Sequence, residues 1–355
     1  MGAKFFEKFM TSISSTLDHL LDRKALTETQ ASELLVALTD PTMEAPMAGA
    51  VLAALRSKGV TADELRGFAK AMRSLARRPI LPSGSPLVDM VGTGGDSSGT
   101  FNLSTGASLL VAATGTRVAK HGSTSITSRS GAADVLKALG LPIPLDEVAA
   151  GKCLAATNFT FFFAPHYHPA MKTLGPIRKA LGVRTVFNML GPLTNPAEPP
   201  FHLIGAFNIE AATLIAETLA GMKIERAFVV HGAPGWDEPT PVGPFECFDV
   251  YSGKVTRRTR TAAEFDLPSC GAAELKGGDA AYNAEHLRNV LEGRDRGAHR
   301  HALIMGAALA LEVSGNASSA KSGAEKAAHA IDSGAAKLTL EKIVAFGTQS
   351  TLVGA

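Results

Sequence analysis

Apolar side chains recur at three- and four-residue intervals through the first eighty residues, the spacing of amphipathic helices. The first series consists of Phe6, Phe9, Ile13, Leu17 and Leu20. Thr27 with Gln30, and Thr61 with Glu64, have the spacing of capping boxes that begin further helices. No strand pattern interrupts this stretch, which therefore predicts a small helical domain.

Beyond residue 86 short apolar runs alternate with helical patterns. The predicted strands are Leu87–Val91, Thr116–Ala119, Asn158–Phe163, Leu203–Gly205 and Ala227–Val230. The predicted helices are Ser104–Thr114, Ala132–Leu139, Ile209–Met222 and, towards the end, Ala284–Leu291, His301–Val313 and Ser319–Ile331. Such alternation is typical of a largely parallel sheet covered by helices on both faces.

These patterns predict an α/β protein with two domains. The small N-terminal helical domain covers residues 1–85 and ends in a Pro/Gly/Ser linker, Pro82–Pro86. The larger α/β domain covers 86–164 and 201–355, with a central, mostly parallel sheet flanked by helices. The intervening segment 165–200 contains a predicted helix, His168–Leu181, and proline-rich turns. We expect it to pack back onto the helical domain.

Composition argues against several classes of protein: nucleic-acid binders, zinc or disulfide-bonded proteins, and membrane proteins. The chain has 355 residues, is 45% hydrophobic, and carries a net charge of only +2. It can bury a sizeable core, and it lacks the basic excess of a nucleic-acid binder. Its three cysteines stand far apart, which argues against zinc and disulfides. The longest apolar run, Ala302–Leu311, is too short for a bilayer. We expect a cytoplasmic protein with neither membrane nor nucleic-acid partners.

A glycine-rich loop joins the first strand to its helix: Val91-Gly-Thr-Gly-Gly-Asp-Ser-Ser-Gly-Thr-Phe-Asn-Leu-Ser-Thr105. Glycines let backbone N–H groups approach an anion, and the helix start near Ser104 adds free N–H groups. Thr100, Asn102, Ser104 and Thr105 can add side-chain hydrogen bonds. The loop suits a phosphate or pyrophosphate, although it matches neither a dinucleotide-binding fingerprint nor a P-loop. The alternative is a glycine-rich turn with an ordinary helix cap.

Three further positions follow strands or lie on a predicted helix. Lys120 follows a strand, where ligands bind in open α/β sheets. Asp237 and Glu238 occupy a Pro/Gly-rich loop, and adjacent carboxylates near phosphates can hold Mg²⁺. Arg178 can bind a carboxylate through two hydrogen bonds. Each could instead be an ordinary solvated residue.

Taken together and in this order, the segments resemble the anthranilate phosphoribosyltransferases, class III enzymes with a nucleoside phosphorylase-like fold. The motifs that carry the resemblance are GTGGDSSGTFNLST, Lys120-His-Gly122, HPAMKTLGPIRKALGVRTVFNMLGPLTNP and the Asp-Glu pair. The resemblance implies transfer of the 5-phosphoribosyl group from phosphoribosyl pyrophosphate (PRPP) to the amine of anthranilate, with release of pyrophosphate. That is the second step of tryptophan biosynthesis from chorismate. It also implies a homodimer.

The resemblance also implies roles for individual residues. Those expected to bind PRPP are Gly92, Gly95, Asp96, Thr100, Asn102, Ser104, Thr105 and Lys120. The substrate-binding set further includes Leu103, His121, Gly122, Ser123 and Ser128, with Arg178 on the anthranilate carboxylate. Two Mg²⁺ ions are expected on Ser104, Asp237 and Glu238. Lys120, Asp237 and Glu238 are the expected catalytic residues.

Some positions depart from the family pattern. Ser123 stands where an asparagine lining the anthranilate site is expected, Thr124 replaces an arginine, and Ala132 replaces a serine. Leu303–Ala307 replaces a more usual asparagine-containing segment. These departures leave open a paralogue that uses another aromatic amine. A nucleoside phosphorylase is a further alternative.

A non-catalytic nucleic-acid binder is the alternative from a different class of protein. Arg257, Arg258 and Arg260 form a small basic cluster that could contact phosphates. The near-zero net charge of the chain speaks against this hypothesis, because nucleic-acid binding normally requires a basic stripe.

Overall fold

The computed structural model describes residues 13–96, 98–125 and 129–353. The chain divides into two compact units, Met1–Arg77 with Tyr167–Thr194, and Arg78–His166 with Asn195–Ala355. The divisions fall after residues 77, 166 and 194, where the sequence led us to expect 85, 164 and 200.

The first unit is helical. Its helices, numbered in chain order through the whole protein, are α1 (13–21), α2 (Glu28–Thr39), α3 (Ala45–Lys58), α4 (Ala62–Ser74), α9 (Met171–Leu181) and α10 (Phe187–Leu190). Both predicted capping boxes are present, at Thr27 and Thr61. Glu64 also forms a buried ion pair with Lys58 at 2.9 Å. Helix α9 packs on α2 and α3.

The second unit is built on a seven-stranded sheet in the order β3-β2-β1-β4-β5-β6-β7. The strands are β1 (Val88–Gly92), β2 (Val118–Gly122), β3 (Phe159–Phe163), β4 (Phe201–Gly205), β5 (Arg226–Gly232), β6 (Phe245–Tyr251) and β7 (Lys254–Arg260). Neighbours among β1–β5 are parallel, whereas β6 and β7 are antiparallel. The mostly parallel sheet is confirmed, but the final hairpin was not predicted.

The remaining helices of the described residues include those that cover this sheet. They are α5 (Leu103–Ala113), α6 (Ala132–Ala138), α7 (Glu147–Thr157), α8 (Ala164–Tyr167), α11 (Ile209–Ala220), α12 (Ala280–Leu291), α13 (Ala298–Val313), α14 (Ala320–Asp332) and α15 (Ala335–Val353). Helix α5 lies on β1–β3, α7 on β3, α11 on β5–β7, and α13 on β4 and β5. The predicted helix from His168 begins only at Met171, after the separate short α8.

The Leu303–Ala307 segment is part of the buried face between α13 and α5. A Cβ at Gly106 of α5 would lie 2.8 Å from the Leu303 side chain, and one at Gly306 would lie 3.1 Å from Ala107. This segment therefore has a packing role. Within the described ranges, no helix is both long and apolar enough to cross a membrane.

Candidate active site

Strand β1 runs into the glycine-rich loop, which ends at the first turn of α5. The backbone is left-handed at Gly94, Gly95 and Gly99, with φ of 67°, 76° and 59°. A side chain in this region costs about 1–2 kcal/mol, so glycine is favoured at all three. The first N–H groups of an α-helix have no partner within the helix. The glycine-rich loop and the first turn of α5 therefore place backbone amide donors at the carboxyl edge of the sheet.

The acidic pair lies directly on this loop. Asp237 Oδ2 accepts a hydrogen bond of 2.6 Å from the Gly94 N–H, and Glu238 Oε1 accepts one of 3.1 Å from the Ser104 N–H. The Asp237 N–H in turn donates to Asp96 Oδ2 over 3.1 Å. The two motifs therefore form one cluster, and the alternative of a solvated acidic loop is wrong.

Glycines at the ends of three neighbouring strands make room for the acidic loop. A Cβ at Gly92 of β1 would lie 2.4 Å from Asp237 Oδ2. A Cβ at Gly205 of β4 would lie 1.6 Å from the Asp237 carbonyl oxygen, and one at Gly232 of β5 would lie 2.1 Å from that of Glu238. Any side chain there would displace the acidic pair. Gly205 and Gly232 were not predicted as site residues, because a glycine at the end of a strand carries no signal of the loop that it faces.

The crowding of carboxyl groups perturbs their ionisation. Burial raises the pKa of Asp237 well above its ordinary value, and the charges of Asp96 and Glu238 raise it further. Burial also raises the pKa of Glu238 to about 7, although Lys120 opposes the shift. Negative charge in this cluster is therefore costly, and a cation bound there would be stabilised.

Lys120 is the middle residue of β2, rather than following the strand as predicted, and it is buried. Its ammonium donates to the Met90 carbonyl and, over 3.2 Å, to Ser104 Oγ. Burial lowers the pKa of Lys120, and the carboxyl groups of Asp89, Glu238 and Asp237 oppose that shift. Lys120 of β2 is therefore bonded both to β1 and to the first turn of α5.

Asp89 on β1 was not predicted as a site residue; it is fully buried, and its charge acts on that of Lys120. Its Oδ1 accepts a hydrogen bond of 3.2 Å from the backbone N–H of His121, a predicted substrate-binding residue. Burial raises the pKa of Asp89 to about 6.

A second missed residue, Asn283 on α12, joins the two ligand-binding loops predicted from the sequence. Its Nδ2 donates to Asn102 Oδ1 over 2.7 Å and to Ser130 Oγ over 2.9 Å. Its Oδ1 accepts from the Gly278 N–H at 2.8 Å. Asn283 is buried within the apolar stripe of α12. A polar residue in such a stripe is the sequence signal that could have revealed the network.

The loop after β2 folds onto the start of α6. Asp134 Oδ2 accepts from the backbone N–H groups of Ser125, at 3.2 Å, and Gly131, at 2.9 Å. The Ser123 carbonyl accepts from Ala133 N–H at 3.2 Å. Ser128 lies outside the described residues.

The other predicted substrate-binding residues lie in the same region of the α/β unit. Thr100 forms an isolated bridge with Lys276, and its hydroxyl lies 3.2 Å from that of Ser98. Leu103 and Thr105 are buried in the first turn of α5. A Cβ at Gly122 would lie 3.0 Å from the Phe161 ring.

Arg178 belongs to the helical unit. On α9 its guanidinium lies over the Phe187 ring, 5.1 Å from the centroid. Burial lowers its pKa. No carboxylate among the described residues forms an ion pair with Arg178, so its hydrogen-bonding capacity is available for a ligand.

The arginines of the basic cluster are engaged in ion pairs. Arg257 pairs with Glu246 at 2.7 Å, and Arg258 with Glu312 at 3.3 Å. Arg260 is buried and pairs with Glu264 at 3.0 Å and with Glu312 at 3.0 Å. Their charge is largely balanced, which speaks against a phosphate-binding surface.

Family models match both units of the chain. The glycosyl transferase family a/b domain matches residues 84–337, and the helical bundle domain of the same family matches residues 14–76. The anthranilate phosphoribosyltransferase of Solibacter usitatus (strain Ellin6076) is 47% identical over 299 residues, which cover 84% of this chain and 87% of the relative.

Solved structures are similar over nearly the full length. The anthranilate phosphoribosyltransferase of Thermus thermophilus has a TM-score of 0.88 at 38% identity, covering 94% of this chain and 99% of its own. The Saccharomyces cerevisiae enzyme, in complex with PRPP and Mg, has a TM-score of 0.87 at 27% identity, covering 96% and 98%.

Proposed function

The chain belongs to the anthranilate phosphoribosyltransferase family, and we propose that it transfers the 5-phosphoribosyl group from PRPP to the amine of anthranilate, releasing pyrophosphate. The observation that carries the proposal is the pair of hydrogen bonds from the Gly94 and Ser104 amides to Asp237 and Glu238. They bring an anion-binding loop and a cation-binding acid pair together. The relatives support this reaction rather than the alternative activities, and the enzyme would serve tryptophan biosynthesis.

PRPP would bind at the carboxyl edge of β1 and β2. Backbone N–H groups of the glycine-rich loop and of the α5 start, other than those of Gly94 and Ser104 that donate to the acidic pair, would face its phosphates, because donors at a helix N-terminus favour anions. Lys120, joined to Ser104 at 3.2 Å, would add a positive charge from the adjacent strand. Asn102, which accepts a hydrogen bond from Asn283, would complete the PRPP site.

Mg²⁺ fits the donors that this cluster offers. Asp237 and Glu238 supply carboxylate oxygens and Ser104 a hydroxyl, and Mg²⁺ prefers such hard oxygen ligands. Burial and mutual repulsion raise the pKa of both acids, and a bound cation would relieve the same cost. The yeast relative binds Mg with PRPP, and we expect two ions here. When bound, they would neutralise the charge of the pyrophosphate.

Arg178 would bind the anthranilate carboxylate. Its guanidinium is held over Phe187 and has no ion-pair partner among the described residues. A planar guanidinium binds a carboxylate through two hydrogen bonds. Ser123 would lie near the acceptor, and its replacement of the usual asparagine makes it a position that tunes acceptor affinity.

The reaction needs little acid–base chemistry from the protein. Breaking the bond between C1 and pyrophosphate gives C1 oxocarbenium character, as in glycoside cleavage. The loop amides and Lys120 would stabilise the charge that develops on the departing group. Since an aromatic amine is neutral at pH 7, positioning it against C1 is the main remaining task.

Turnover of anthranilate tests the proposal directly. Loss of anthranilate fluorescence should require both PRPP and Mg²⁺. The double variant Asp237→Ala, Glu238→Ala should abolish that loss while the chain remains folded by circular dichroism. Glu217→Gln on the exposed surface of α11 is the matched control and should keep activity. Absence of turnover by the folded wild-type chain would refute the assignment.

We also infer a homodimer that works in the cytoplasm. Family resemblance supports the dimer, which sedimentation equilibrium can test. The cysteines Cys153, Cys247 and Cys270 are all unpaired, as is usual in a reducing compartment.

A further inference from the structure

A second cluster of ligand-type side chains lies in the α/β unit away from the acidic pair. His286 is on α12, Asp295 is in the turn after it, and His299 is in the first turn of α13. One ligand atom from each lies within 4.8 Å of the other two. The side chains of Asp295 and His299 are only 21% and 13% exposed. This arrangement has no role in the proposed reaction.

Neighbouring groups hold the three side chains in place. Asp295 Oδ1 accepts from Gly297 N–H at 2.8 Å, while its Oδ2 lies 3.0 Å from His299 Nδ1. The His286 ring lies between Tyr282, at 4.2 Å, and His299, at 5.0 Å between centroids. Oriented ligands of this kind lower the cost of assembling a metal site.

Two observations point to a ligand rather than to a simple ion pair. The pair of Asp295 and His299 is joined by a third ligand-type side chain, His286, one ligand atom of which lies within 4.8 Å of a ligand atom of each. The nearby cations Arg294 and Arg300 are themselves paired, with Glu292 and Asp332.

We propose that His286, Asp295 and His299 bind one divalent transition-metal ion of the zinc class, with water completing the coordination. Two imidazoles and a carboxylate suit Zn²⁺ and distinguish this site from the all-oxygen acidic pair. Ligands about 2.1 Å from a tetrahedral ion stand about 3.4 Å apart. Binding would bring the three ligand atoms, which now lie within 4.8 Å of one another, to that separation.

The ion would join the middle of α12 to the first turn of α13. His299 also lies against Phe101, with ring centroids 4.5 Å apart. Phe101 is buried in the glycine-rich loop, and its N–H donates to the Leu275 carbonyl at 3.0 Å. The ion would therefore stabilise His299, against which Phe101 of the glycine-rich loop packs.

Co²⁺ absorption tests the site in the full-length, tag-free chain after treatment with a chelator. One equivalent of Co²⁺ should bind with visible d–d bands, one equivalent of Zn²⁺ should displace it, and Zn²⁺ should raise the melting temperature. Millimolar Mg²⁺ should not compete. Asp237→Asn with Glu238→Gln removes the acidic pair as an alternative site and should leave Co²⁺ binding unchanged.

Single variants identify the ligands. His286→Gln, Asp295→Asn and His299→Phe should each weaken Co²⁺ binding at least about tenfold. His299→Phe keeps an aromatic ring against Phe101, so it separates ligation from packing. His329→Gln, exposed on α14, is the control and should bind normally. The site is refuted if the wild type takes up no ion, or if the folded variants bind as tightly as the wild type.

Discussion

Asn283 donates a hydrogen bond of 2.7 Å to Asn102, 181 residues earlier in the chain. The same amide group reaches Ser130 at 2.9 Å. One buried side chain on α12 therefore fixes the distance between the glycine-rich loop and the loop that follows β2. We expect Asn283 to be a positioning residue, because it would act on the proposed PRPP site through Asn102.

Asn283→Ala should raise the KM for PRPP about tenfold, since it leaves buried polar partners unsatisfied, at a cost of about 1–3 kcal/mol. The KM for anthranilate should change much less. Steady-state kinetics with each substrate varied in turn measures the difference. Asn289→Ala, on the same helix, is the control. Equal changes in both KM values would assign Asn283 a merely structural role.

Gly205→Ala should reduce kcat/KM at least about a hundredfold. Its Cβ would meet the Asp237 carbonyl oxygen at 1.6 Å, so the acidic loop must move away. Overpacking of this kind also costs roughly 1–3 kcal/mol of stability. Gly49→Ala on α3, where the nearest atom would be 4.0 Å away, is the matched control. An active Gly205→Ala enzyme would mean that the position of the loop is not critical.

Asp89 should make the stability of the protein depend on pH. Its pKa is about 6 in the folded state, above the ordinary 3.8. Its contribution is therefore fully present below about pH 4 and is lost as pH rises to about 6 and beyond. Relative to Asp89→Asn, the wild type should lose up to about 3 kcal/mol of unfolding free energy over this range. Urea denaturation at pH 4, 5, 6 and 7 measures the difference.

The control for that experiment is Asp266→Asn, which removes an exposed carboxylate. If Asp89→Asn and the wild type differ by a constant amount at every pH, Asp89 is not the group responsible.

Arg178→Ala should raise the KM for anthranilate about ten- to a hundred-and-fifty-fold, because one charge-assisted, two-bond contact is worth about 1.5–3 kcal/mol. The KM for PRPP should change little. Arg178→Lys keeps the charge but not the planar geometry, and should be nearly as impaired. Lys179→Ala on the neighbouring exposed position is the control. A parallel rise in both KM values, or a fall in melting temperature alone, would assign Arg178 to helix packing on Phe187.

Local signals predicted much of the fold. The capping boxes at Thr27 and Thr61 depend on residues three apart, and both form as expected. The alternation of β1–β5 with helices also predicted the parallel part of the sheet. The hairpin of β6 and β7 was missed, because β7 is rich in arginine and exposed on both faces, so it lacks an alternating apolar pattern.

The residues of the candidate site, like the elements of the fold, were predicted only in part. The acidic pair stands out because it follows β5, and parallel strands end at a common edge. Lys120 was also predicted to follow a strand, but it lies within β2. Asp89, Gly205 and Asn283 have no local signal of that strength. Their importance arises from contacts between distant parts of the chain, such as Gly205 with Asp237. Only the folded structure reveals those contacts.

The arginine-rich strand β7 ends the sheet, and six of its seven residues are exposed. An open sheet edge offers unpaired backbone groups to another chain, and charged side chains along it discourage such pairing. Lys254, Arg257 and Arg258 place cations along this edge, while Glu246 and Glu312 pair with the arginines. The exposed cations of β7 therefore disfavour the addition of a further strand from another chain at this edge of the sheet.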